Sequence, residues 1–222
     1  MRIVITGANR GIGLALAKRY SARGDVVMGT ARDVSAAKPL AALPGVAVFA
    51  LDVRDDASVA AFAKALGDEG IDVLINNAGV GHWEGLSAFD PKLALELFDT
   101  NALGAVRVTR ALLPMLKKAS GKVFHVSSGM GSIGDNHSGG AYAYRMSKAA
   151  LNMAGRTLAI ELAKDRVASI VVEPGWVKTD MGGAGATISA EESAAQLGAI
   201  IDARGIESTG KFFSRSGREF PW

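Results

Sequence analysis

The sequence of 222 residues contains no cysteine, so it can form neither a disulfide nor a thiolate metal site and has no cysteine nucleophile. It also lacks an apolar run of about 18 residues, the length that a membrane-spanning helix needs, and shows no signal-peptide h-region. Its 25 basic residues are interleaved with 22 acidic ones, without the basic cluster typical of nucleic-acid binding. These absences predict a cytoplasmic protein that engages neither nucleic acid nor membranes.

Glycine, in contrast, is abundant, with 27 residues in a chain that is 49% hydrophobic. The glycines are irregularly spaced, which indicates tight turns or close contacts between backbone and ligand. The length favours one domain, residues 1–222, with ample material for a core. His82, His125 and His137 show no metal-ligand spacing, so no metal site is expected.

Short β-branched runs alternate with longer amphipathic stretches along the chain. The predicted strands are Arg2–Thr6, Val26–Ala31, Val46–Leu51, Val73–Asn76, Lys122–Ser127, Ala168–Glu173 and Lys211–Phe213. The predicted helices are Ile12–Arg23, Ala57–Leu66, Pro91–Lys118, Tyr142–Lys164 and Ala190–Ala203, with a weaker one at Ala36–Leu43. Strands separated by helices predict an α/β fold with a doubly wound parallel sheet and helices on both faces.

Two glycine-rich segments, Gly129–Gly140 and Met181–Ala186, each follow a predicted strand. The carboxyl ends of parallel strands hold the ligand in open α/β sheets. Both segments are therefore candidate pocket loops.

A glycine turn lies between the first strand and the first helix, with Gly7, Gly11 and Gly13 in the segment TGANRGIG. Gly7 permits the sharp turn, Gly11 lets the backbone approach a pyrophosphate, and Gly13 allows close packing of helix on strand. The free N–H groups of the helix N-terminus attract phosphate. The pattern predicts a dinucleotide site whose turn also includes Asn9, Arg10 and Ile12.

The residues at the end of the second strand indicate whether the dinucleotide is NAD or NADP. An acid usually grips the ribose of NAD there, but this strand ends in Ala31 followed by Arg32. Arg32 and Arg10 together would suit the 2′-phosphate of NADP(H). Two alternatives remain: both are solvated surface charges, or Asp33 grips the ribose instead.

Tyr144 and Lys148 are spaced by four at the start of a predicted helix, which puts them on one face. A free phenol has a pKa near 10, and a neighbouring ammonium is expected to lower it. A phenol so tuned could donate a proton to a carbonyl oxygen. Alone, this pair is common by chance, so its surroundings decide its meaning.

Those surroundings contain four further features in a fixed order: the strand ending Asn76-Asn77-Ala78-Gly79, Asn101 inside a predicted helix, the strand end Ser127-Ser128, and Pro174-Gly175. With the glycine turn and the Tyr–Lys pair, the sequence resembles the short-chain dehydrogenases/reductases over nearly its whole length. The wider strings 142–148 and 174–181 resemble the branch of sniffer-type carbonyl reductases and C-factor.

The resemblance implies a Rossmann-like sheet of seven strands in the order 3-2-1-4-5-6-7. It also implies four catalytic residues. Tyr144 would be the general acid, Lys148 would bind the nicotinamide ribose and lower the pKa of the phenol, and Ser128 would bond the substrate carbonyl. Asn101 would hold a water in a proton relay, and Ser127 is the rival of Ser128.

Further cofactor contacts follow from the same resemblance. They involve Asp52, Val53, Asn76, Ala78, Gly79, Tyr144, Lys148, Pro174, Gly175, Val177 and Thr179. Asp52 would meet the adenine, or would simply cap a strand. Asn77, Ala78 and Gly79 would either bind the cofactor directly or mainly shape a turn.

The expected activity is reversible reduction of a small carbonyl compound with NADPH. A short substrate loop near residues 180–190 predicts an open pocket. Trp83 and Trp176 would either form walls of this pocket or serve general packing.

The resemblance also implies a homo-oligomer, a dimer or tetramer, whose interface is built on the two long predicted helices, Pro91–Lys118 and Tyr142–Lys164. Core packing explains the apolar residues of these helices equally well. A cofactor-binding signalling protein of the C-factor type is the alternative function.

Overall fold

Seven parallel strands form one sheet in the order β3-β2-β1-β4-β5-β6-β7 in the computed structural model, which describes residues 1–222. The strands are β1 (Arg2–Ile5), β2 (Val26–Ala31), β3 (Val46–Ala50), β4 (Val73–Asn76), β5 (Lys122–Val126), β6 (Ala168–Glu173) and β7 (Phe212–Ser214). The chain crosses from one half of the sheet to the other between β3 and β4, so a crevice opens where β1 and β4 meet. The predicted fold class and strand order are confirmed.

Seven α-helices connect the strands. They are α1 (Gly11–Ala22), α2 (Lys38–Ala41), α3 (Asp56–Leu66), α4 (Pro91–Phe98), α5 (Gly104–Ala119), α6 (Tyr142–Leu162) and α7 (Ala190–Ala203). None of them combines the length and apolar content that crossing a bilayer demands.

The alternation of side chains along β1 explains how both faces of the sheet are covered. Ile3 and Ile5 pack with Leu16 of α1 and Leu197 of α7 on one face. Val4, between them, packs with Leu112 of α5 on the other face. All six side chains are buried, as expected for the apolar strands of a parallel sheet.

The predicted helix Pro91–Lys118 is wrong in one respect, because a π-helical turn at Asp99–Leu103 divides it into α4 and α5. The cause is Asn101, whose side chain bonds the backbone of Val80 outside the helix. Smaller differences concern element ends: the last strand lies one residue later than predicted, and the weak helix shortens to Lys38–Ala41.

Candidate active site

The turn between β1 and α1 is closed by backbone conformation rather than by side chains. Gly7 and Gly11 adopt φ values of +64° and +54°, which strain any residue with a Cβ. A Cβ on Gly13 would lie 2.4 Å from the carbonyl oxygen of Gly7. Arg10 precedes α1 without a side-chain cap, so the first N–H groups of the helix remain available to an anion. The turn therefore fits a dinucleotide pyrophosphate.

Asn77 holds this turn to the end of β4. Its Nδ2 donates to the carbonyl oxygens of Thr6 (2.9 Å) and Gly7 (3.0 Å). In return, the Thr6 hydroxyl oxygen accepts from the backbone N–H groups of Asn77 and Ala78, both at 3.0 Å. Of the two roles expected for this segment, Asn77 therefore has the turn-shaping one.

A cavity of about 1140 Å³ runs from the glycine turn to Tyr144 and Lys148. The predicted cofactor residues that line it are Gly7, Asn9, Arg10, Gly11, Ile12, Arg32, Asp52, Val53, Ala78, Gly79, Tyr144, Lys148, Pro174 and Thr179. The structure thus brings most of the expected contacts into one cleft.

Four predicted residues lie elsewhere. Gly13 sits beneath the turn, and Gly175 and Val177 line a second cavity. The side chain of Asn76 is buried, and its Nδ2 donates to the Thr109 hydroxyl at 3.0 Å. The pleat of β4 turns this amide toward α5, so a side-chain contact of Asn76 with the ribose is not what the structure shows.

The charges at the far end of the cleft are already partly paired. The Asp33 carboxylate accepts from the backbone N–H (2.9 Å) and the hydroxyl (2.6 Å) of Ser35. Asp52 is bonded by the Arg54 guanidinium, with its nearer nitrogen at 2.7 Å, and this hydrogen bonding lowers the pKa of Asp52 to about 2. Arg32 lines the cleft without a salt-bridge partner within 4.0 Å, which leaves its guanidinium open to a phosphate.

Arg10 is expected to bind the 2′-phosphate together with Arg32, but in the structure its side chain has another partner. Its guanidinium forms a salt bridge with Asp180, in the segment that follows β6. Both side chains are largely exposed, so the pair is weak by itself. It nevertheless connects the glycine turn to the substrate loop.

Tyr144 and Lys148 lie on one face of α6, as the spacing of four predicts. The Lys148 ammonium donates to the Val126 carbonyl at 3.0 Å and stands 5.8 Å from the centre of the Tyr144 ring. Both side chains are buried. The end of β5 therefore anchors the lysine beside the phenol.

Burial, rather than the ammonium, dominates the acidity of this pair. Desolvation raises the pKa of Tyr144 to about 12, and a hydrogen bond with Ser128 opposes part of that rise. Desolvation also lowers the pKa of Lys148 to about 8. The pKa of Tyr144 is therefore raised and not lowered as expected, because burial, which disfavours the charged form of both groups, outweighs the effect of Lys148. At neutral pH the phenol keeps its proton.

The two serines at the end of β5 have separate roles. The Ser127 hydroxyl donates to Asn152 Oδ1 at 2.5 Å inside the protein. Ser128 Oγ accepts from the backbone N–H of Met130 at 3.1 Å, and Ser128 lines the second cavity together with Tyr144. The alternation of side chains along a strand separates them, and the geometry favours Ser128 as the serine that faces the substrate.

Asn101 lies in the π-helical turn next to this group. Its Oδ1 accepts from the Val80 N–H at 2.8 Å, while its Nδ2 donates to the Val80 carbonyl and the Ser147 hydroxyl, both at 2.9 Å. A Cβ on Gly79 would lie 3.1 Å from this amide oxygen and 3.5 Å from Lys148 Nζ. The amide thus fastens the loop after β4 to α6, close to the lysine.

A second cavity, of about 910 Å³, adjoins the first at Tyr144. Trp83, Trp176, Met130 and Met181 contribute its apolar lining. The Trp83 ring meets the Tyr144 ring edge to face, with centroids 4.8 Å apart. Of the two roles considered for the tryptophans, the structure supports that of pocket walls.

The segment Gly129–Gly140 forms one side of this second cavity and is held at two points. Arg145 donates to the Gly140 carbonyl at 3.0 Å and to the Ser138 hydroxyl at 2.8 Å. At the other point, the Trp222 carbonyl accepts from the Gly134 N–H at 2.8 Å. The last residues therefore fold back behind the pocket loop.

Sequence reasoning missed two residues of this region. Glu173, at the end of β6, lines the second cavity. Glu84 is buried, and its Oε1 accepts from the Ala143 N–H at 2.7 Å, which caps the first turn of α6 from another segment. The "EPG" string adjacent to the recognised Pro174-Gly175 pair was a usable signal for Glu173, whereas nothing in the local sequence indicated Glu84.

The histidines and the acidic residues form no group of three or more that could hold a metal ion. His125 is fully buried between the Asn76 amide and the Ser169 hydroxyl, and burial lowers its pKa to about 4. It is a core residue of β5.

Comparison with known proteins agrees with this geometry. The sequence profile described as short chain dehydrogenase matches residues 1–187. The C-signal protein of Myxococcus xanthus is 48% identical over 164 residues, which cover 73% of this chain and 99% of that protein.

Solved structures resemble the chain over its full length. The NADPH-bound carbonyl reductase from chicken fatty liver superimposes with a TM-score of 0.94 at 31% identity, covering 100% of this chain and 98% of that one. The carbonyl reductase Sniffer of D. melanogaster gives the same TM-score and identity, covering 100% and 99%. The resemblance drawn from the motifs is confirmed, and the chain belongs to the short-chain dehydrogenase/reductase family of oxidoreductases.

Proposed function

We propose that this protein reduces the carbonyl group of an aldehyde or ketone to an alcohol with NADPH. The observation that carries the proposal is the meeting of two cavities at one phenol. Tyr144 lines both the cleft that begins at the glycine turn and the cavity walled by the tryptophans. A carbonyl held in the second cavity can therefore reach a proton donor beside the cofactor cleft.

NADPH, when bound, supplies the hydride. The residues of the protein position the cofactor and the substrate and supply the proton. Tyr144 donates its hydroxyl proton to the carbonyl oxygen as negative charge develops there. The Ser128 hydroxyl, which lines the same cavity as Tyr144, donates a hydrogen bond to that oxygen and stabilises the charge.

Lys148 stabilises the phenolate that Tyr144 becomes after proton transfer. Its ammonium also bonds the ribose next to the nicotinamide, as the family resemblance implies. Asn101 completes the relay by holding a water near Lys148. Because its side-chain amide is already bonded to Val80 and Ser147, the main-chain carbonyl of Asn101 is the group that we assign to that water.

The preference for NADPH follows from Arg32. No acid ends β2, and the Asp33 carboxylate is taken by Ser35, so nothing there is arranged to grip a ribose 2′-hydroxyl. The free guanidinium of Arg32 suits the 2′-phosphate. The NADPH in the chicken carbonyl reductase supports this choice.

Replacement of Tyr144 by phenylalanine tests the mechanism. Tyr144→Phe should lower turnover at least a hundredfold, the scale of a lost general acid, while the dissociation constant for NADPH stays nearly unchanged. Tyr142→Phe, two residues earlier on the same helix and partly exposed, is the matched control and should retain full turnover. Unchanged turnover in Tyr144→Phe would remove this phenol from the mechanism.

A second candidate function is a signalling protein that binds the cofactor and catalyses only incidentally. The 48% identity with C-signal favours it. The buried group of Tyr144, Lys148, Ser128 and Asn101 argues against it, because a sensor needs no proton relay. Retained signalling in Tyr144→Phe, in cells that lack the gene, would support this candidate.

We also propose that the protein is a homodimer. Met146, Met153 and Ile160 are spaced by seven on α6 and are 49%, 67% and 66% exposed. Such a stripe suits pairing with the same helix of a second copy. Sedimentation equilibrium should give twice the chain mass, and Met153→Glu should reduce it to a monomer.

A further inference from the structure

The second cavity is acidic in a chain whose formal net charge is +3. Its charged lining residues are Asp135, Glu173, Asp180 and Arg145. Three carboxylates and one guanidinium thus line the cavity, and of the three carboxylates Asp180 is paired with Arg10 of the cofactor cleft. The cofactor cleft differs, since its lining is nearly balanced, with six basic and five acidic residues.

Arg145, the one basic residue that lines this cavity, uses its guanidinium for hydrogen bonds within the protein. The Arg145 guanidinium donates to the carbonyls of Gly139 (3.1 Å) and Gly140 (3.0 Å) and to the hydroxyl of Ser138 (2.8 Å). Its donors therefore hold the pocket loop. An anionic ligand would have to displace those bonds to gain a partner.

Glu173 is the carboxylate of this cavity whose charge acts on the Tyr144 phenol. Burial is the main cause of the raised pKa of Tyr144, and the negative charge of Glu173 adds to it. One carboxylate oxygen accepts from the Gly175 N–H at 2.5 Å. The other oxygen accepts from the Arg215 N–H at 3.5 Å. No side-chain cation lies within 4.0 Å of Glu173, and the Arg215 guanidinium bonds Gln196 Oε1 at 2.9 Å. Glu173 therefore has backbone hydrogen-bond donors but no salt-bridge partner.

The tryptophans in the wall of the cavity also influence which ligands it favours. Trp83 and Trp176 are 52% and 57% exposed, so both present ring surface to the cavity. Indole faces attract cations as well as apolar groups. Two tryptophans and an unpaired carboxylate together suit a ligand with an apolar body and a positive charge.

We propose that Glu173 is a specificity-determining residue, which makes this cavity accept cationic and neutral carbonyl compounds and reject anionic ones. The inference rests on the proposed carbonyl reduction and names its substrate class. The cause is Coulomb repulsion between a substrate anion and the carboxylate in a partly desolvated cavity.

Three aldehydes with one body and different charges test this. They are 4-formylphenylacetate (anion), its methyl ester (neutral) and 4-(trimethylammoniomethyl)benzaldehyde (cation), in which a methylene insulates the carbonyl from the charge. For the wild type, we expect kcat/KM of the cation to exceed that of the anion at least tenfold. The ratio should decrease as salt screens the charges.

Glu173→Gln should reduce the cation-to-anion ratio at least fivefold. Because each ratio is taken within one enzyme, an effect of Glu173 on the acidity of Tyr144 cancels. Glu161→Gln removes the same charge from an exposed position of α6 and should leave the ratio unchanged.

A wild-type ratio near one, or a preference for the anion, would overturn the inference while the carbonyl reduction stands. An unchanged ratio in Glu173→Gln would remove Glu173 as its cause. Failure to reduce the neutral ester and the other two aldehydes would instead overturn the proposed function. If Glu173→Gln does not fold, inhibition of the wild type by benzyltrimethylammonium and by phenylacetate decides: weaker inhibition by the cation contradicts the inference.

Discussion

The cofactor cleft and the substrate cavity share Tyr144 but are built in different ways. The cleft is formed by backbone conformation at the ends of β1 and β4, with Gly7 and Gly11 at positive φ and Asn77 bonded to main-chain carbonyls. The cavity is formed by aromatic side chains and by a loop held from a distance through Arg145 and Trp222. The first therefore suits a ligand of fixed chemistry, and the second can change with a few side chains.

Lys148→Met tests the junction of the two regions and has the largest expected effect. Turnover should fall at least a hundredfold, because phenolate formation at Tyr144 loses its partner. Stability should rise at the same time: burial lowers the pKa of Lys148 from its ordinary value of 10.5 to about 8, which costs on the order of 3 kcal/mol at pH 7. Loss of the hydrogen bond to Val126 destabilises the variant by about 1 kcal/mol. We therefore expect the free energy of unfolding of Lys148→Met to exceed that of the wild type by about 2 kcal/mol.

The pH dependence of that gain provides the check. Between pH 8 and 10.5 the unfolded wild type binds a proton at Lys148 that the native state has lost, so wild-type stability rises with pH. The advantage of Lys148→Met should therefore shrink over this window. Urea unfolding at about pH 7 and about pH 10 measures it, and a constant difference between the two proteins would contradict the burial argument.

Arg32→Ala tests the cofactor end of the comparison, where Arg32 lines the cleft without a salt-bridge partner. We expect KM for NADPH to increase tenfold to a hundredfold, roughly the value of one charged hydrogen-bonding group, while KM for NADH changes little. The exposed Arg110, outside both cavities, offers Arg110→Ala as a control without effect. A lower KM for NADH than for NADPH in the wild type would reverse the cofactor assignment.

Gly13→Ala and Gly129→Ala compare the two regions directly. The new Cβ at Gly13 would lie 2.4 Å from a backbone oxygen, whereas at Gly129 it would lie 3.5 Å from the Phe220 ring, an ordinary contact. We expect Gly13→Ala to lose about 1–3 kcal/mol of stability and to weaken NADPH binding, and Gly129→Ala to change stability little. Calorimetry and titration with NADPH give both quantities; equal effects would show that the cleft is no more rigid than the cavity.

The fold could be predicted because its signals are local. The run Ile3–Ile5 followed by Gly7 and a helix indicates a buried strand, a turn and a crossover wherever it occurs. The break at Asp99–Leu103 could not be predicted in this way. It depends on bonds from Asn101 to Val80, which lie 21 residues apart in sequence.

The residues of the candidate site also fall into two groups, those indicated by local sequence and those that depend on contacts between distant segments. Gly7, Gly11, Tyr144 and Lys148 act through spacing within one segment, so the sequence reveals them. The acidity of Tyr144 could not be foreseen, because it depends on how deeply α6 packs. The pairing of Arg10 with Asp180 joins residues 170 positions apart, and no local pattern indicates it.

That pairing has a consequence for the second cavity. Arg10 and Asp180 both line the cofactor cleft, where they form a salt bridge, and Asp180 also lines the second cavity. A nucleotide that draws Arg10 toward its own phosphates frees Asp180 and the residues beside it. We therefore expect binding of the nucleotide to change the charge that Asp180 presents to the second cavity.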